Sequence, residues 1–229
     1  MGTETHTGPT TVPMLLRLNR ERCGDVRAIV AEDRTITHAQ LDHESRAVAA
    51  RLVAAGCGRS SRIGLLAPNG IEWVVTAAAV MRIGALLVPL STLLRPPELL
   101  AQIRTADVSH LIAASEFRGR NHLAELDAEV PGLRALSGSG DRVIETPSIR
   151  AVWAIDELPR AEAHPDIVTA LEDRVRPAHD LCVLFTSGSR GVPKGVIHTH
   201  GGALRATASG LRVRCVGDGE VLYLSLIHI

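Results

Sequence analysis

The sequence predicts an α/β fold built on a helix-covered, mostly parallel sheet, and three observations carry that prediction. Short apolar runs alternate along the chain with segments of helical periodicity, the order expected when parallel strands are joined by crossover helices. Glycines, prolines and an Asn-Gly pair punctuate the boundaries between them. Aromatic residues are only 2% of the 229 while hydrophobic residues are 45%, so a core of ample size must be packed from Leu, Val, Ile and Ala.

Residues 1–12 read as a loose tail, rich in Thr and Gly as far as Thr11. Residues 28–31 and 35–36 flank Glu32-Asp-Arg34 as a short hairpin. Thr37-His-Ala-Gln40 is a capping-box pattern, in which hydroxyl and amide each satisfy a free backbone N–H. Leu41, Ala47, Val48, Leu52 and Val53 then give a helical apolar stripe that Gly56 stops. A strand over 62–66 ends near the turn pair Asn69-Gly70, a helix over 72–82 ends at Gly84, and 86–88 form another strand. Pro96-Pro97-Glu98 opens a helix to about residue 106, followed by a strand over 110–113. Residues 115–178 are rich in Pro, Gly, Glu and Arg and predict only a helix near 121–129 and a strand at Val152-Trp153. Regular structure resumes with a strand over 180–185, an extended pair at Val196-Ile197 and a helix over 201–211.

The formal net charge is zero and the arginines are scattered, which excludes a basic nucleic-acid groove and an acidic tail. Too few aromatics are present to stack single-stranded bases, so no nucleic-acid partner is expected. Cys23, Cys57, Cys182 and Cys215 never form Cys-x-x-Cys, as in a reduced compartment where they serve as small core hydrophobes. No basic-then-apolar leader opens the chain, and the apolar stretch 74–90 is interrupted by Arg82, Gly84 and Pro89. A cytoplasmic protein without an integral membrane segment is the expectation.

The chemistry concentrates at Thr186-Ser-Gly-Ser-Arg-Gly-Val-Pro-Lys-Gly195, which directly follows a predicted strand. Of the 25 Lys and Arg residues, Lys194 is the single lysine. Lysine is a mobile point charge and arginine a planar fork, so the two are not interchangeable. A hydroxyl- and glycine-rich turn ending in one ammonium group has the chemistry to grip a polyphosphate. The P-loop pattern fails, because Pro193 precedes Lys194 and Gly195 follows where a magnesium-binding hydroxyl should stand. No Gly-x-Gly-x-x-Gly follows a predicted strand either.

With Phe185 in the aromatic position, this run resembles the signature loop of the adenylate-forming (AMP-binding) enzymes, the superfamily of acyl-CoA synthetases, peptide-synthetase adenylation domains and luciferases. Arg190 is the departure, standing where the family most often has Thr. The strings at 35–41, 63–69, Glu72-Trp73, 84–89 and Glu98-Leu99 resemble the family's N-terminal strand–helix units in their usual order. Pro89-Leu-Ser-Thr92 and Glu116-Phe-Arg-Gly-Arg120 look more like acyl-CoA synthetases than peptide-synthetase domains. The resemblance implies ATP, Mg2+ and CoA as small-molecule partners of a carboxylic acid, which is activated as its acyl-adenylate and passed to a thiol. It implies that Thr186, Ser187, Gly188, Ser189, Arg190, Gly191 and Lys194 hold the β- and γ-phosphates of ATP. The family's later elements, including a C-terminal catalytic lysine, have no counterpart here, so no catalytic residue is assigned. Residues 13–229 are thus expected to be an incomplete N-terminal adenylation domain, inactive alone. Residues 224–229 also equal the translation of a transposase end sequence used in library preparation, and are expected to be an adapter-derived end.

The rival reading is a stand-alone module that binds ATP or an acyl phosphate without turnover; a P-loop kinase is a third. His198 and His200 could form a metal pair, but no carboxylate or cysteine completes it, so a helix-start or surface role is expected. Trp73 and Trp153 are expected in packing, Cys182 as an inert buried thiol, and Asp218 and Glu220 in a solvated turn.

Overall fold

The computed structural model describes residues 8–138, 140–186, 194–217 and 219–222. Five strands run parallel: β3 (Arg62–Leu66), β4 (Leu86–Pro89), β5 (His110–Ala113), β6 (Ala151–Ala154) and β7 (Asp180–Thr186). An antiparallel β8 (Lys194–Thr199) closes the edge, in the order β6-β5-β3-β4-β7-β8. Helices cover both faces, because strands apolar on both sides need two packed layers. Side chains alternate accordingly: Ile63 and Leu65 pack with α2 (His38–Ala54) and α3 (Ile71–Arg82), whereas Leu66 meets α4 (Pro96–Thr105) and α5 (His122–Glu129). A separate hairpin, β1 (Arg27–Val30) with β2 (Thr35–Thr37), packs through Ile36 beside α1 (Val12–Cys23).

The predicted α/β class, the mostly parallel sheet and every predicted strand and helix are present. The capping box is complete: Thr37 Oγ1 accepts from Gln40 N–H at 3.2 Å, and Gln40 Oε1 accepts from Thr37 N–H at 2.8 Å. Two helices escaped the sequence reading. Helix α1 buries only Pro13 and Leu16, too narrow a stripe to stand out among its arginines. Helix α6 (Pro165–Glu172) turns Val168 and Glu172 inward, so half of its buried face is a carboxylate that periodicity counts as exposed.

That carboxylate is neutralised in the interior. Glu172 pairs with Arg82 at 2.5 Å and Arg46 at 2.7 Å, and Arg82 pairs with Asp42 at 2.8 Å. The Arg82 and Glu172 side chains are each 1% exposed. Among the described residues no helix is long and apolar enough to cross a membrane.

Candidate functional site

Strand β7 carries the sequence from the core to the phosphate-type loop. Val183 is buried and Phe185 packs beside it against the α4–α5 face, while Thr186 emerges exposed at the end of the strand. The chain returns as β8, in which Thr186 pairs with Lys194 and Phe185 with Gly195. Directly opposed residues of an antiparallel ladder share a face and lie about 5 Å apart at Cα. Thr186 and Lys194 therefore stand side by side at the mouth of the connection, with Leu184 and Val196 behind them on the same face. Ser187, Gly188, Ser189, Arg190 and Gly191 lie outside the described residues, as do Asp218 and the stretch 223–229.

The chemistry at this mouth suits an anion. Lys194 is exposed, and no carboxylate pairs with it among the described residues. The ammonium group is thus available to a ligand, beside a hydroxyl that can donate a hydrogen bond. Gly195 admits the tight pairing: a Cβ there would stand 2.7 Å from Val183 Cγ1.

The turn after β4 leaves the sheet at the same edge, since β4 and β7 are parallel. It is held by Arg120, which donates to the carbonyls of Thr92 at 2.9 Å and Leu94 at 3.1 Å and pairs with Glu125 at 2.6 Å. That carboxylate holds the Arg120 guanidinium above its ordinary pKa, and Arg120 holds Glu125 below the usual carboxylate range. His122 Nε2 donates to Thr92 O at 3.1 Å. The two strings singled out at 89–92 and 116–120 are thus one tied structure, a link that their sequence separation hides.

The His198 and His200 pair separates. His198 lies on β8, Thr199 caps the next helix, α7 (His200–Val213), and His200 is its first residue, fully buried. His200 Nδ1 accepts from Val12 N–H at 3.2 Å, joining the N-terminal helix to the far end of the chain. No group of three or more His, Cys, Asp or Glu residues is placed to hold a metal among the described residues. Trp153 stacks on His110 with ring centroids 5.5 Å apart. Trp73 packs beside the core, and burial pushes the Cys182 thiol up. Glu220 accepts from Gly217 N–H at 3.0 Å in an exposed turn.

Comparison with known proteins accords with this geometry. The family model described as "AMP-binding enzyme" matches residues 16–229. A CoA ligase for a methyl-dioxo-octahydroindenyl propanoyl group, from Mycobacterium tuberculosis, is 34% identical over 201 residues, covering 87% of this chain and 38% of the relative. A medium/long-chain-fatty-acid and 3-oxocholest-4-en-26-oate CoA ligase from Mycobacterium marinum is 26% identical over 187 residues, covering 80% of this chain and 33% of the relative. The solved structure of a Mycobacterium tuberculosis fatty acyl CoA synthetase superposes with a TM-score of 0.61 at 21% identity, covering 83% of this chain and 35% of that one. The chain therefore spans about a third of the length of these relatives. With β7 and β8 paired on either side of the signature-like run, the match over 16–229 identifies the chain as a member of the AMP-binding, adenylate-forming enzyme family.

Proposed function

We propose that this chain is the ATP-gripping part of an AMP-forming acid–thiol ligase of the acyl-CoA synthetase type. The observation that carries the reading is the pairing of Thr186 across β7 and β8 with an exposed Lys194 that no carboxylate engages among the described residues. Together they flank a connection whose sequence resembles the family's signature loop. Thr186, Ser187 and Ser189 would donate hydroxyl hydrogen bonds to the β- and γ-phosphates, with Gly188 and Gly191 allowing close backbone approach. Arg190 adds a planar cation where the family most often has a hydroxyl, and Lys194 neutralises phosphate charge. Mg2+ would supply further charge neutralisation there, beyond that of Lys194.

In the proposed reaction a carboxylate oxygen of the acid attacks the α-phosphorus. The bond from that phosphorus to the bridging oxygen breaks, pyrophosphate leaves, and an acyl-adenylate remains. The CoA thiolate then attacks the acyl carbon and AMP departs. The loop's share of the work is positioning and electrostatic stabilisation of the leaving phosphates, which in preorganised sites is the largest catalytic contribution. The relatives named above are CoA ligases of an octahydroindenyl propanoyl group and of medium/long-chain fatty acids and 3-oxocholest-4-en-26-oate, which supports an acyl acid and a CoA acceptor here.

Acid-dependent ATP–pyrophosphate exchange tests the reading. A gene extended to the length of the relatives is expected to exchange, and the 229-residue chain alone is not. Lys194→Ala in the extended enzyme is expected to lower the exchange by about a hundredfold, the usual scale for one charge-stabilising group. Exchange unaffected by that substitution defeats the role given to the lysine. Nucleotide binding without exchange in the extended enzyme establishes the binding-module reading instead.

A further inference from the structure

A groove of about 290 Å³ opens at the opposite end of the sheet, where β3, β4 and β7 begin. It continues into a second hollow of about 190 Å³ that shares Arg59, Gly84 and His179. Asp180 on its wall and Thr186 at the phosphate-type loop are the first and last residues of β7. At the strand rise of about 3.3 Å per residue, the two ends are about 20 Å apart.

The groove is cationic in a chain whose formal net charge is zero. Arg59, Arg62 and Arg174 line it against a single carboxylate, Asp180. Other acids nearby are already engaged: Asp173 pairs with Arg17 at 2.9 Å, and Glu172 lies in the buried cluster. Arg62 spends Nη1 on the Ala106 carbonyl at 2.8 Å, and Arg176, beside the groove, spends its Nη1 on the carbonyls of Asp173 and Val175. Arg59 and Arg174 are exposed, and their guanidinium groups have neither a carboxylate nor a hydrogen-bond acceptor among the described residues. Two free guanidinium forks facing one hollow provide the planar, multi-donor geometry that grips phosphate oxygens.

His179 completes the arrangement. Its Nδ1 accepts from Arg176 N–H at 3.2 Å, so in the neutral ring Nε2 carries the proton. Its backbone carbonyl accepts from His200 N–H at 3.0 Å, tying the groove wall to the start of α7. Burial first, then Arg59 and Arg176, hold the imidazole below its ordinary pKa, which places the ring within the field of Arg59.

We propose that this groove is a second anion site, separate from the Thr186–Lys194 pair. It grips a phosphate group through Arg59 and Arg174, with His179 as a third donor. The phosphate is either free inorganic phosphate or the terminal phosphate of a small molecule, and the open volume leaves room for the rest of that molecule.

Imidazole NMR of the 229-residue chain tests the assignment, with the His179 resonance identified by its loss in His179→Gln. Titration with inorganic phosphate, at ionic strength held constant with chloride, is expected to move that resonance saturably. Arg59→Ser combined with Arg174→Ser is expected to weaken the apparent affinity by about tenfold or more, equivalent to at least one strong charged contact. Lys194→Ala is expected to leave it unchanged. A parallel titration with glycerol phosphate separates the sources: tighter binding than inorganic phosphate identifies a phosphorylated small molecule, and equal binding identifies phosphate alone. Both substituted arginines are exposed, and a phosphate-dependent rise in melting temperature, lost in the double variant, gives an independent readout. Failure of His179 to respond to either anion overturns the proposal. So does an affinity indifferent to the two arginines, or one abolished by Lys194→Ala.

Discussion

At Gly195 a methyl group has nowhere to go. A Cβ built there would stand 2.7 Å from Val183 Cγ1 and 3.5 Å from the Phe185 ring. Val183 is buried and β-branched, so it cannot swing aside cheaply. Gly195→Ala is therefore expected to push β8 away from β7 and to cost about 1–3 kcal/mol, the usual penalty of overpacking. Denaturant unfolding checks the cost. In an extended enzyme the same change should lower pyrophosphate exchange, because it unseats Lys194 from its place opposite Thr186. A cost near zero would mean that the strand pair tolerates the methyl and that Gly195 serves only the loop. Sequence pattern singled out Gly195 as part of a signature. Only the packing reveals that its missing side chain is what lets β8 approach β7.

Among the elements, helices α2, α3 and α6 are joined by charge as well as by apolar contact. Arg82 from α3 reaches Asp42 on α2 and Glu172 on α6, and Arg46 of α2 also reaches Glu172. Removing one member leaves the others buried and uncompensated, so Glu172→Leu is expected to destabilise the fold by about 3–5 kcal/mol. Combining it with Arg82→Met removes both central charges and is expected to recover part of that loss, since apolar replacement of a whole buried pair is often neutral. Urea unfolding of the two variants decides the matter: a double variant no more stable than Glu172→Leu alone would show that an uncompensated Arg82 is not what the single substitution costs. The same cluster explains why α6 was missed. A buried carboxylate breaks the apolar periodicity that identifies a helix, and its partners lie 90 and 126 residues upstream, at Arg82 and Arg46. The strands and helices from residue 35 to 113 were legible because apolar residues still dominate their buried faces, even where Asp42, Ser45, Thr76 and Arg82 interrupt them.

For the molecule as a whole, two buried imidazoles set the response to acid. His110 and His200 are both pushed down to about 4, by burial first, with Arg150 and Arg142 adding to it at His110 and His179 at His200. In the unfolded chain they return to the ordinary value of 6.5. Below that value the unfolded state takes up protons that the native state refuses, so stability falls as pH drops toward about 4. The contribution is fully present above pH 6.5. Urea midpoints measured across this window should rise with pH, and His200→Asn should flatten the rise. A midpoint independent of pH there would show that neither ring stays neutral in the fold. His200 matters at this scale because it accepts from Val12, so its protonation would release the first helix from the last.

The sequence by itself determined the fold class, the order of the strands and helices it could recognise, and the family, because local periodicity, capping residues and a contiguous loop signature are all written in consecutive residues. The tertiary structure alone decided that Thr186 faces Lys194, that Arg120 binds the turn after β4, and that Glu172 can be buried. It also decided that the arginines lining the groove converge. Each of these depends on side chains far apart in the chain, whose meeting is set by strand register and packing rather than by any local preference.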